Sequence, residues 1–173
     1  MHRKVIANTT PLIALADIGH LDLLQKLYGE IMIPRAVLDE IKSEPAKSIV
    51  RAALKTAVKM TAENNSVTWI NVCSISDVNA KRLYRAKLHA GEVEVMILAE
   101  EQNADLVLMD DNAAKKTAKF MGLKVTGTLG VLLRAKREGH IKEVQPLMKR
   151  LIETGMFISE NICRYVLKEA GDE

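Results

Sequence analysis

Asn8 and Thr9 follow the apolar run Val5-Ile6-Ala7, while Asp110 and Asp111 follow Leu106-Val107-Leu108-Met109. Glu40 closes Val37-Leu38-Asp39-Glu40, beyond a second apolar run at Ile31-Met32-Ile33, and Glu92 opens a long apolar segment that reaches Glu101. Oxygen-bearing side chains thus gather where apolar runs end. Carboxylates that share one rim repel each other unless a cation neutralises them, and hard oxygen ligands select Mg²⁺ or Mn²⁺. Taken singly, each residue has an ordinary role: Asp111 as a helix N-cap, Glu92 as a first-turn acid favoured by the helix dipole, Glu40 as a solvated helix residue, Asn8-Thr9-Thr10-Pro11 as a capped helix start. Their joint placement is what points to a metal site.

The elements that must position these groups alternate between two periodicities. Val5–Ala7, Ile31–Ile33, Val67–Val72, Leu106–Met109 and Lys124–Thr126 are short, nearly continuous apolar or β-branched runs, which predict strands buried on both faces. Between them lie helical patterns. A threonine caps the first, with Pro11 in its first turn, and the pattern continues through Leu27 to Gly29. Helices are also predicted from Ala36 to Ile41, Ala46 to Thr61, Asp77 to Leu88, Val93 to Glu101 and Asn112 to Lys119. After Gly127 the chain is helical, at Leu129–Glu138, Val144–Glu153 and Ser159–Ala170. Strand–helix alternation predicts an α/β fold with a parallel sheet covered on both faces, and ligands in such sheets bind beyond the carboxyl ends of the strands. The first and fourth strands must then be neighbours for Asn8 and Asp110 to face one pocket.

With 173 residues, 48% hydrophobic and 27% charged, the chain has material for one core, so residues 1–173 are expected to form one domain with 129–173 mainly helical. No apolar run approaches the roughly 18 residues of a membrane span, and the N-terminus has no signal-like apolar region, so a cytoplasmic protein without membrane partners is expected. Cys73 and Cys163 have no metal-ligand spacing and read as buried thiols. The net charge of +3 allows a polyanionic partner, while aromatic residues at 3% disfavour base stacking, so nucleic acid would be held through phosphates. Lys115, Lys119, Arg82 and Arg85 are candidates for that contact, against the alternative of solvated helix faces. Dinucleotide and P-loop glycine fingerprints are absent, and Gly127-Thr128-Leu129-Gly130 resembles a phosphate-cradling loop only weakly.

The chain resembles the PIN-domain proteins, the nuclease fold of many VapC-type toxins, and within them a prokaryotic branch described as predicted nucleic-acid-binding proteins. The resemblance lies in Val5-Ile6-Ala7-Asn8-Thr9-Thr10-Pro11-Leu12-Ile13, Ile33-Pro34 through Glu40-Ile41, His89-Ala90-Gly91-Glu92-Val93-Glu94, Val107-Leu108-Met109-Asp110-Asp111, the segment from Gly127 to Lys136, and the tail from Leu151 to Ser159. It implies a three-layer α/β/α sandwich and an endoribonuclease dependent on Mg²⁺ or Mn²⁺. Glu40, Glu92 and Asp110 would be its metal-binding acids, with Asn8 in the same set, Asp111 as an adjacent carboxylate and Thr9 hydrogen-bonded beside them. RNA would be the substrate and an antitoxin protein a partner; the helical C-terminal third suits a homodimer.

One position departs from the family pattern. The first strand usually ends in aspartate, and here stands Asn8. An asparagine carbonyl can ligate a metal but is neutral and cannot act as a base. The alternative function is therefore a PIN-fold protein of weak or no activity that binds RNA or an antitoxin. A small-molecule α/β enzyme, supported by fold class alone, is a third.

Overall fold

Val5, Ile6 and Ala7 are fully buried, as a strand must be when it has neighbours on both edges and helices on both faces. They form β1 (Val5–Ala7) of a computed structural model that describes residues 3–55, 68–81 and 88–172. The other strands are β2 (Ile31–Pro34), β3 (Ile70–Cys73), β4 (Leu106–Leu108) and β5 (Val125–Thr126), all parallel in the order β3-β2-β1-β4-β5. Val5, Ile6 and Ala7 pair with Leu106, Val107 and Leu108, so the residues after β1 and β4 emerge side by side. The chain builds outward from β1 to β2 and β3, then crosses back to β4. That reversal opens a crevice at the carboxyl ends of β1 and β4.

The helices are α1 (Thr9–Asp17), α2 (Asp22–Tyr28), α3 (Arg35–Glu40), α4 (Ala46–Ala53), α5 (Ala90–Gln102), α6 (Asn112–Phe120), α7 (Thr128–Arg137), α8 (Gln145–Glu153) and α9 (Glu160–Ala170), with a short 3-10 turn at Val78–Ala80. Together with the sheet they make the three-layer α/β/α arrangement. α5 is buried from Gly91 through Ala99 and packs on α3, β1 and β2. The core runs from Val5 to Val166, so the C-terminal helices share it. Cys73 and Cys163 are free but half-buried rather than buried as expected, and partial burial pushes the Cys73 thiol above its ordinary range.

Several local expectations change. The helix expected from Thr10 to Leu27 is two, because Gly19 takes a left-handed φ of 74° and turns the chain between α1 and α2. The cap of α1 is Asn8, with Thr9 already helical, and the Asn8 side chain makes no capping hydrogen bond. α4 ends at Ala53, because Leu54 bridges to Ile70 and Lys55 donates its N–H to the Ile70 carbonyl at 2.9 Å; residues 56–61 of the helix expected to Thr61 lie outside the described residues. β3 starts at Ile70 rather than Val67, which lies outside the described residues, as do residues 82–87 of the helix expected from Asp77 to Leu88. The Ser159 cap is as expected, accepting from the Ile162 N–H at 3.3 Å.

Candidate functional site

Asn8 leaves β1 with its N–H bonded to the Leu108 carbonyl at 2.8 Å, which pins it against the neighbouring strand. Its side chain is 5% exposed, and Oδ1 has no hydrogen-bond partner among the described residues. Leaving such an acceptor unsatisfied costs about 1–3 kcal/mol, so the fold holds this oxygen at a cost that a ligand would relieve. Asn8 lines a cavity of about 500 Å³ together with Thr9, Glu40, His89 and Glu92.

Glu40 is fixed from two sides. Thr9 Oγ1 donates to Glu40 Oε2 at 2.6 Å, and the Gly91 N–H donates to Oε1 at 2.9 Å. A Cβ on residue 91 would sit 2.7 Å from both carboxylate oxygens, so only glycine lets Glu40 lie against the first turn of α5. Glu92 accepts from the His89 N–H at 3.0 Å, the acidic half of a capping box. Glu94, one turn along α5, reaches the other way: Oε2 accepts from the Ala36 N–H at 2.9 Å, and Oε1 pairs with Lys81 Nζ at 2.7 Å. α3 and α5 thus exchange carboxylates, each capping the other, and this exchange sets where Glu40 stands.

Asp110 is held differently. Oδ1 accepts from the Thr128 N–H at 2.8 Å and Oδ2 from Thr128 Oγ1 at 2.6 Å, so the start of α7 already cradles a carboxylate of its own chain. That occupies the turn at Gly127-Thr128 that resembles a phosphate loop. A Cβ at Gly127 would meet Asp110 Oδ1 at 2.6 Å and Lys115 Nζ at 2.9 Å, which places the Lys115 ammonium close to this carboxylate. Asp111 caps α6, accepting from the Ala114 N–H at 2.8 Å. Asp110, Asp111, Asp17 and Lys115 line a second cavity of about 530 Å³. Thr10 borders both cavities, so they adjoin across the start of α1.

The structure therefore brings Asn8, Thr9, Glu40 and Glu92 around one cavity and sets Asp110 and Asp111 around the adjoining one. Among the described residues, no three His, Cys, Asp or Glu side chains come together as a group able to hold a metal ion. The first cavity offers two carboxylates, an amide oxygen and a hydroxyl, a donor set that suits a hard divalent cation in kind while carrying less charge than a set with aspartate at position 8. The unpartnered Asn8 Oδ1 fits such an ion. Of the candidate phosphate contacts, Lys115 lines the Asp110 cavity and Lys119 is exposed, while Arg82 and Arg85 lie outside the described residues. Residue type and spacing did not single out His89, Glu94 or Thr128. Glu94 does carry a signal, since it is a charge embedded between the apolar residues Val93 and Val95.

The PIN domain family model matches residues 4–172, and the chain belongs to the PIN domain family. Among solved structures it is similar to a PilT N-terminus domain protein from the hyperthermophilic archaeon Sulfolobus solfataricus P2, at 17% identity and a TM-score of 0.46, over 76% of this chain and 92% of that one. No curated protein matches it. Among the described residues, no helix is long and apolar enough to cross a membrane.

Proposed function

We propose that this PIN-family chain is an endoribonuclease that hydrolyses phosphodiester bonds with Mg²⁺ or Mn²⁺. The observation that carries the proposal is the buried, unpartnered Oδ1 of Asn8 on a cavity shared with Glu40 and Glu92. Asn8, Glu40 and Glu92 would hold the ion, with Asp110 contributing from the adjoining cavity and Asp111 beside it. A bound divalent ion would polarise a phosphoryl oxygen and lower the pKa of a coordinated water. Thr9 and the Gly91 N–H orient Glu40, and Thr128 orients Asp110, so both carboxylates are held before any ligand arrives. Lys115, close to Asp110, supplies positive charge to a phosphate at the same rim.

A second function, RNA binding without cleavage, is favoured by a specific pair of observations: position 8 is neutral, and both oxygens of Asp110 are already engaged by Thr128. The test is cleavage of single-stranded RNA in Mg²⁺ or Mn²⁺ by wild type, Asn8→Asp and Glu40→Gln. Cutting by wild type, lost in Glu40→Gln and in excess chelator, supports the nuclease. Binding by wild type, with cutting only in Asn8→Asp, supports the second function. Neither binding nor cutting in wild type and Asn8→Asp overturns both. A toxin role, restrained by an antitoxin protein, predicts further that expression of the active chain alone arrests growth and that Glu40→Gln abolishes the arrest.

A further inference from the structure

The segment Thr154-Gly155-Met156-Phe157-Ile158 joins α8 to α9 and is fixed at both ends. Thr154, Gly155 and Met156 donate their N–H groups to the Arg150, Ile152 and Leu151 carbonyls, each at 3.0 Å, with Gly155 at a φ of 105°, and Ser159 caps α9. Met156 and Ile158 pack against the common core, so the chain between them turns Phe157 outward, where it is 92% exposed. An apolar ring is normally worth burying, yet here an anchored backbone presents it to solvent. Phe157, Ile162 and Leu129 line the cavity of about 530 Å³ that also holds Asp110, Asp111 and Lys115, a volume within the range of pockets for small ligands. Among the described residues, its lining sets the carboxylates of Asp17, Asp110 and Asp111 against the single ammonium of Lys115, which disfavours a phosphate inside it. A flat, uncharged ring with polar edges suits it instead. Phe157 offers a face to stack on, and the Asp17 carboxylate and Asn112 amide offer acceptors and a donor to the edge. Thr10 carries the lining over into the Asn8–Glu40–Glu92 cavity, so whatever fills this one adjoins that site.

We infer that this cavity is a nucleobase subsite, in which a base next to the phosphate held at Asn8, Glu40 and Glu92 stacks on Phe157. The role depends on RNA being the ligand, as proposed above. It changes how the strand is held: with aromatic residues at 3% of the chain, phosphates were the expected contacts, and one of those few rings stands at the site. Bases of a single strand can be splayed out and taken up on aromatic side chains, and because every base has a π-face such stacking tolerates sequence. Phe157 is thus a binding residue that positions the strand and takes no part in bond cleavage. Phe120 is equally exposed, at 94%, but does not line this cavity. It ends α6, eight residues beyond Asn112 and so about 12 Å further along the helix axis.

The test is affinity in Mn²⁺, across a range of salt concentrations, for a mixed-sequence single-stranded RNA of about a dozen nucleotides and for an abasic ribose-phosphate chain of the same length. It is read as Kd where the strand stays whole and as KM where it is cut. Phe157→Ala should weaken RNA binding about tenfold, the usual effect of removing one stacking ring, and leave the slope of log affinity against log salt unchanged because no phosphate contact is lost. Phe157→Trp should keep the wild-type affinity. Wild type should prefer the RNA to the abasic chain, and Phe157→Ala should lose most of that preference at an unchanged melting temperature. Phe120→Ala, which removes an equally exposed ring, should match wild type throughout. Equal losses in the two alanine variants, a loss accompanied by a shallower salt slope, or a preference for RNA that survives Phe157→Ala would each overturn the subsite. Wild type that cuts RNA while Phe157→Ala cuts it with unchanged KM would overturn the subsite and leave the nuclease standing. Wild type that neither binds nor cuts overturns both. Normal RNA binding by Phe157→Ala with a change in its sedimentation mass would assign the ring to contact between two copies of the chain and overturn the subsite.

Discussion

At the scale of single residues, the site is governed by where a side chain is absent and where a charge is missing. Gly91→Ala places a Cβ against the far end of the Glu40 side chain, which can swing away, so stability should change by no more than about 1 kcal/mol, helped by the higher helix propensity of alanine. The displaced carboxylate loses both the Gly91 N–H and Thr9, so Mn²⁺ affinity and RNA cleavage should fall together in a protein with a normal melting temperature; unchanged Mn²⁺ affinity would detach Glu40 from the site. Asn8→Asp works in the opposite sense. The new carboxylate is buried and has no partner in the ion-free protein, so in chelator its desolvation should lower the melting temperature. Added Mn²⁺ should reverse the loss and bind about tenfold or more tighter than in wild type, one more charge being worth at least about 1.4 kcal/mol in a partly buried cluster. Thermal melts with and without Mn²⁺, alongside calorimetric titration, check this, and equal affinities in the two proteins would place residue 8 outside the ion's shell.

At the scale of elements, α3 is six residues long and too short to be stable alone, so its position depends on the carboxylates it exchanges with α5. Glu94→Gln removes the charge that pairs with Lys81 and weakens the cap on Ala36. The expected cost is about 1–3 kcal/mol, with faster amide exchange across Val37–Ile41 than in the sheet; protection unchanged there would mean that packing alone holds α3. These tertiary caps were the part of the molecule least legible in the sequence. The strands and their parallel pairing follow from runs such as Val5–Ala7 and Leu106–Leu108, whose burial has one periodicity and one neighbour-independent cause, while the adjacency of β1 and β4 was expected from Asn8 and Asp110 having to meet. Asp111 and Ser159 were legible because a cap acts on its own helix. Glu40, Glu94 and Asp110 instead cap helices remote in sequence, at separations of 51, 58 and 18 positions, and no local pattern encodes such a pairing. The early end of α4 at Leu54 is likewise set by a tertiary contact, its bridge to Ile70, whereas the break at Gly19 is local, a glycine in the left-handed region closing α1.

At the scale of the whole molecule, one carboxylate near the end of the chain joins the C-terminal helices to the rest. Asp172 pairs with Lys136 of α7 and accepts from the Val144 N–H at 2.5 Å and the Gln145 N–H at 3.0 Å, so it caps α8 from beyond α9. Burial acts to raise its pKa, but the hydrogen bonds from Lys136, Gln145 and Val144 outweigh that and hold it below the ordinary aspartate value. A carboxyl depressed in the folded state contributes stability that is complete above its unfolded pKa of about 4 and is lost as pH falls through the lower folded value. Because α8 and α9 bury Leu147, Met148, Leu151 and Val166 in the common core, that loss should appear in global unfolding rather than as local fraying of the tail. Asp172→Asn should therefore lower stability by about 1–2 kcal/mol at pH 7, the usual worth of a helix cap, and by far less once the wild-type carboxyl is protonated. Urea unfolding of both proteins at pH 7 and in strong acid reads the difference directly. A gap between them that stays constant with pH would remove the Asp172 charge from the account of how the C-terminal helices are held.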